Sequence, residues 1–132
     1  MSLRRLAIGF LFAQAVGASL WWVVLIAWPA SRPYFRAHDA PDSTLLAFAV
    51  ADSLLFIGTS FGSAIGYWKQ RRWAWPVLCV HTGAACYAAL YCWTLTALTG
   101  GDAWLGAVLM TPSLVVPPLL LWFLRPTGDP RC

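Results

Sequence analysis

The sequence predicts an all-α integral membrane protein of four transmembrane helices, and three observations carry that reading. Of 132 residues, 60% are hydrophobic and only 11% are charged, against the roughly 25% charged residues of an ordinary soluble domain. The charges gather in short patches that separate apolar runs at about 6–28, 45–68, 74–99 and 104–124. Each run is close to the ~20 residues a helix needs to cross a ~30 Å hydrocarbon core. The four spans occupy most of the chain, so the expectation is a single bundle, residues 1–132, in up-down topology and without a separate soluble domain.

The first run begins with Arg4 and Arg5 ahead of LAIGFLF and small residues near Ala15 to Ala18, a pattern shared with secretory signals. It continues through Leu20, Trp21, Trp22 and Val23 to Trp28. That is too long for a signal core, so the run is read as the first helix. The segment after it contains Pro29, Pro33 and Pro41 and is expected to form a shaped loop.

The second run, FAVADSLLFIGTSFGSAIGYW, places Asp52 inside an apolar stretch and repeats glycine at Gly58, Gly62 and Gly66. The third holds His81 and a small-residue face that includes Ala84, Ala85 and Ala88. Small faces permit close approach of helices, so the second and third helices are expected to pair most tightly. Gly100-Gly101 marks a short turn, and Pro112, Pro117 and Pro118 are expected to kink the fourth helix, because each removes a backbone donor.

Orientation follows from the basic residues, since short cytoplasmic segments carry an excess of them. Arg4, Arg5, Lys69, Arg71, Arg72, Arg125 and Arg131 fall in the N-terminus, second loop and tail, whereas the first loop balances Arg32 and Arg36 against Asp39 and Asp42. Both termini are therefore expected in the cytoplasm, with the chain multi-pass in a bacterial plasma (inner) membrane. The net charge of +4 is accounted for by this asymmetry and by the surface potential of anionic lipid. No nucleic-acid partner is implied. Cys79, Cys86 and Cys92 lie within the third span in no metal-binding spacing, and Cys132 has no prenylation context. They are read as small hydrophobes, and neither a metal nor a cofactor is expected.

A helix rises 1.5 Å per residue, which puts Asp52 roughly 10 Å below one boundary and His81 roughly 10 Å above the other. Trp21, Trp22, Tyr91, Trp93, Thr111 and Ser113 fall at the depth of Asp52, and Gln14, Thr59, Ser60 and Ser63 at the depth of His81. Two polar layers result. A direct Asp52–His81 bond is not expected. At 100° per residue Thr59 and Ser63 share the Asp52 face of the second helix.

A charge at that depth costs at least ~2.5–3.5 kcal/mol on insertion scales, so an intramembrane carboxylate is a functional candidate. The alternative is a polar peg that orients the bundle. The ligand- or proton-binding candidates are Asp52, His81, Tyr91, Trp21, Trp22, Gln14, Thr59, Ser63 and Thr111. Arg32, Arg36 and His38 are candidates for a lipid headgroup, and the glycines and alanines above are packing residues.

There is no HExxH, no GxSxG and no phosphate-binding glycine loop, and one Asp with one His lacks the ligands of a catalytic zinc site. In length and helix count the chain resembles the small multidrug transporters, but the first-helix glutamate those proteins use is matched here only by the neutral Gln14. Three functions are carried forward. The preferred one is binding of a lipophilic ligand or a larger membrane-protein partner through the polar layers. The others are an intramembrane acid/base enzyme acting on a lipid or isoprenoid, and a proton-coupled carrier working as a dimer. Membrane lipid and a second copy of the chain are the remaining expected partners.

Overall fold

A computed structural model describes residues 3–126; Arg131 and Cys132 lie outside the described residues. The described chain is helical, without strands. Four helices are long and apolar enough to cross a membrane: α1 (Leu3–Ala27), α2 (Asp42–Trp68), α3 (Ala74–Leu98) and α4 (Trp104–Leu124). This is a multi-pass arrangement, with spans within three residues of those the sequence predicts.

α1 stops because Pro29 has no N–H with which to continue the ladder. The carbonyls left open at its end are taken by Arg32, whose Nε donates to the Leu25 oxygen at 2.8 Å and Nη2 to that of Ile26 at 3.4 Å. The segment expected as a loop is partly ordered as a 3-10 helix, Pro29–Phe35. Its two arginines converge on Asp42, with Arg32 Nη1 at 2.9 Å from Oδ2 and Arg36 Nε at 3.1 Å from Oδ1. Asp42 opens α2, where a carboxylate also complements the positive end of the helix dipole.

α2 departs from the regular helix that the hydropathy implies. Short α-helical stretches at Asp42–Leu46 and Phe48–Ala51 lead into a π-helical segment, Asp52–Gly58, before α geometry resumes at Thr59–Trp68. A π-turn under-winds the helix and disturbs its hydrogen-bond ladder. Hydroxyls repair the ladder on either side: Ser53 Oγ donates to the Ala49 carbonyl at 2.7 Å and Thr59 Oγ1 to that of Leu55.

At the far end of α2 the chain turns through Gln70, a non-glycine residue at φ 54°. Arg71 N donates to the Gly66 carbonyl at 2.8 Å and Gln70 N to that of Tyr67 at 3.3 Å. These are the two bonds of a Schellman cap. α3 and α4 are joined through Gly100 and Gly101, both at positive φ. Asp102 Oδ2 accepts from His38 N at 2.7 Å, which ties this turn to the first connecting segment.

Two apolar clusters hold the helices together. Ala7, Leu11, Ala64, Leu78 and Leu120 form one near the basic end, and Trp22, Leu25 and Leu45 form the other near the first connecting segment. α3 packs most extensively with α4, whereas α1 and α4 have little close backbone approach. The expected tightest pair, α2 with α3, is not the observed one. Its contact is concentrated beyond the π-helical segment, where a Cβ added at Gly66 would stand 2.8 Å from Ala74 Cβ and one at Gly62 would stand 3.3 Å from Val77 Cγ1. Gly58 faces its own helix instead, against the Ser53 carbonyl. α4 runs as one helix through its three prolines, and Pro117 is fully buried.

Candidate functional site

With α1 and α4 apart and α2 diverted, the half of the bundle nearest the first connecting segment encloses a cavity of about 850 Å³. All four helices contribute to it. α1 presents Gln14, Gly17, Ala18, Trp21 and Trp22, in which 14, 17 and 21, and 14, 18 and 22, are spaced three or four apart and so share one helical face. α2 supplies Phe48, Asp52 and Phe56; α3 supplies Gly83, Ala84, Tyr87, Ala88, Tyr91 and Cys92; α4 supplies Gly106, Met110 and Ser113. Phe35 and Arg36 reach in from the connecting segment. Phe35 packs edge-on to Trp21 at 5.4 Å, and Phe48 lies 5.0 Å from the Tyr91 ring. The wall is aromatic and small-residue hydrocarbon with few polar groups.

Asp52 is the carboxylate in that wall, and it has no ion-pair partner among the described residues. Trp22 lines the same cavity, and its Nε1 is buried without a hydrogen-bond partner among the described residues. Trp21 Nε1 is likewise buried and without a partner among the described residues. Buried donors are nearly always bonded in native proteins, to protein or to water, and each exception calls for an explanation. Cys92 lines the cavity with Asp52; Cys79, Cys86 and Cys92 are free thiols.

The second polar layer lies under the cavity and takes one residue from each helix. His81, fully buried, has Nε2 at 3.1 Å from Gln14 Oε1 and Nδ1 at 3.3 Å from Thr59 Oγ1. Gln14 Nε2 in turn donates to Ser113 Oγ at 2.8 Å. Because the Gln14 oxygen accepts, the imidazole carries its proton on Nε2. Ser63 Oγ donates to the Thr59 carbonyl at 2.7 Å, and Ser60 Oγ to the Leu11 carbonyl of α1 at 2.9 Å. His81 and Asp52 make no bond to each other.

Among the residues expected at the depth of Asp52, Trp21, Trp22 and Tyr91 line the cavity with it. Thr111 does not. It receives the Trp93 indole N–H at 3.3 Å on an exposed face of α3 and α4. Ser113, expected beside Asp52, belongs to the His81 layer. Thr59 and Ser63, expected on the Asp52 face, lie against His81 and in the interior, and the π-helical segment Asp52–Gly58 stands between them and Asp52. Ala85 is fully buried as a packing residue, whereas Ala84 and Ala88 border open space. Of the headgroup candidates, Arg36 enters the cavity rim. Its Nη1 is bonded to the carbonyls of Ala37, His38 and Ala40, so neither it nor Arg32 is a free cation.

The open space beside Gly17 and Gly83, where an added Cβ would meet nothing within 4 Å, has no signature in the sequence. Neither does the entry of Phe35 and Arg36, which depends on the fold of the connecting segment. Among the described residues no group of three or more His, Cys, Asp or Glu side chains could hold a metal. Comparison of the chain with protein-family models, curated proteins and solved structures gives no match.

Proposed function

We propose that the protein binds a lipophilic small molecule in the four-helix cavity, with Asp52 engaging a cationic or hydroxylic end of the ligand. The single observation that carries the reading is the cavity itself, with an unpaired carboxylate and two unpartnered indole donors set in an apolar wall. Its volume falls within the 300–1,000 Å³ usual for small-ligand sites, which pair hydrophobic linings with a few placed polar groups. The ligand chemistry follows from those groups. A donor or cation answers Asp52, an acceptor answers Trp21 or Trp22, and the body is hydrocarbon.

In this reading the bundle is one domain in up-down topology, with both termini in the cytoplasm of a bacterial inner membrane and α4 bent at its prolines. The cavity then faces the outer half of the bilayer. The buried apolar cluster of Ala7, Leu11, Ala64, Leu78 and Leu120 at the other end favours binding over carriage, since a carrier must open its site to both faces. Catalysis is less well supported because Asp52 and His81 stand in separate layers, without acids and bases converging on one point.

The test is mass spectrometry of organic extracts from the purified full chain and from a Gly17→Leu/Gly83→Leu variant, in which the new side chains occupy the cavity. A lipophilic molecule that copurifies with the native chain and is depleted in the variant is the expected result. Identical extracts from the two proteins would sink the proposal.

A further inference from the structure

The opposite end of the bundle carries a second recess, formed where the turn after α2 meets the last turn of α4. It has a volume of about 470 Å³ and is bordered by Tyr67, Arg71, Arg72, Trp75, Leu124 and Pro126. Its composition is unlike that of the large cavity. Arg71 and Arg72 on its border are both exposed, while Leu124 and Pro126 give it an apolar side.

The charges here are unbalanced in a specific way. Arg4, at the same end, is occupied by the Tyr67 and Trp68 carbonyls, with Nη2 at 2.7 Å from the first. Arg125 lies over the Trp122 ring, 4.4 Å from its centroid. Arg32 and Arg36 are both held by Asp42. Arg71 and Arg72 have neither an ion pair nor a side-chain hydrogen bond among the described residues. The described carboxylates lie elsewhere, in the first connecting segment, in the α3–α4 turn and in the large cavity. Two neutral donors belong to the same wall: Tyr67 Oη and Trp75 Nε1 are buried without a partner among the described residues.

We infer that this recess binds the phosphate headgroup of an anionic phospholipid. Guanidinium groups meet phosphate oxygens through paired, charge-assisted hydrogen bonds. Basic recesses between transmembrane helices, at the level where headgroups lie, are suited to anionic lipid. The arginines hold the phosphate, the phenol and indole supply further donors, and the first part of an acyl chain lies along Leu124 and Pro126. The Schellman cap, with its bond from Arg71 N to the Gly66 carbonyl, folds the chain back at this point, and Arg71, Arg72 and Trp75 border the same recess. This site is separate from the large cavity and does not depend on the function proposed for it. It also moves headgroup recognition away from Arg32 and Arg36, whose cations are internally satisfied.

The test is native mass spectrometry of the full chain in detergent, titrated with phosphatidylglycerol or with phosphatidylcholine of the same acyl chains. Phosphatidylglycerol should be retained preferentially. An Arg71→Gln/Arg72→Gln variant should lose that retention by roughly thirty-fold, about 1 kcal/mol for each arginine, while an Arg5→Gln/Lys69→Gln variant of equal charge keeps it. Equal retention of the two lipids would overturn the inference, as would equal loss in both variants, which would mark diffuse attraction to the basic end. Competition by glycerol 3-phosphate as effective as that by the lipid would assign the recess to a soluble phosphate and overturn the lipid assignment.

Discussion

Gln14 of α1 donates from Nε2 to Ser113 Oγ of α4 at 2.8 Å, joining two helices that have little close backbone approach to each other. The same amide accepts from His81 through Oε1. One neutral side chain therefore closes the floor of the cavity and satisfies the Nε2–H of a fully buried imidazole.

Replacing Gln14 with leucine should remove both bonds and leave His81 Nε2 without an acceptor. Interhelical hydrogen bonds in membranes average only ~0.6 kcal/mol and reach ~1.7, whereas an orphaned buried donor costs about 1–3 kcal/mol. A loss of roughly 1–2 kcal/mol is expected in reversible denaturant unfolding in micelles, from the combination of those two effects. A Gln14→Leu/Ser113→Ala double variant should lose less than the sum of the two single variants. Strict additivity would show that the bond contributes nothing to stability.

The glycines separate packing from space. Gly66→Ala places a methyl 2.8 Å from both Ala74 Cβ and Trp73 Cζ3, and should destabilise by about 1–3 kcal/mol, the usual range for overpacking. Gly17→Ala and Gly83→Ala meet nothing within 4 Å. They should be neutral or stabilising by up to ~1 kcal/mol, since glycine is a poor helix former. Thermal melts of the three variants check the order, and a Gly17→Ala melt as low as that of Gly66→Ala would contradict the open cavity.

How far the sequence reveals the molecule can be judged at the same positions. Hydropathy places all four spans because the bilayer imposes one length on every helix, and counting 1.5 Å per residue puts Gln14, Thr59 and His81 in one layer. The count places Ser113 in the wrong layer, because depth along α4 depends on where its first turn sits in the membrane. The course of α2 around Asp52 is hidden for a different reason. Hydropathy is blind to the π-helical segment Asp52–Gly58, and a wheel drawn at constant pitch carries its error into every residue beyond it. Cavities are hidden more deeply still, since Ala84 and Ala88 look like packing residues until the neighbouring helix is seen to stand away.

Orientation can be read by labelling. In a Cys132→Ser background, His38→Cys should react with an impermeant maleimide added outside intact cells, and Gln70→Cys only after the cells are opened. His38 is exposed in the first connecting segment and Gln70 in the turn after α2, so both thiols are reachable and the contrast reports sidedness. The reverse pattern would put the large cavity in the inner half of the bilayer.

Asp52 decides between a ligand-binding group and a structural peg, and the two roles give opposite stability changes. A peg contributes through its bonds, so removing it destabilises. Among the described residues Asp52 has no ion pair and the Trp21 and Trp22 indoles close no hydrogen bond, yet a carboxylate at this depth costs about 2.5–3.5 kcal/mol on insertion scales. Asp52→Leu should therefore leave the fold intact and stabilise it by a part of that amount, roughly 1–2 kcal/mol after the partial exposure of the site is allowed for. The same variant should lose the lipophilic molecule that copurifies with the native chain, the exchange of stability for function expected at a binding site. Unfolding in micelles and extraction of the same preparation measure both quantities together. A less stable Asp52→Leu protein that keeps its extracted ligand would establish the peg and remove Asp52 from the site.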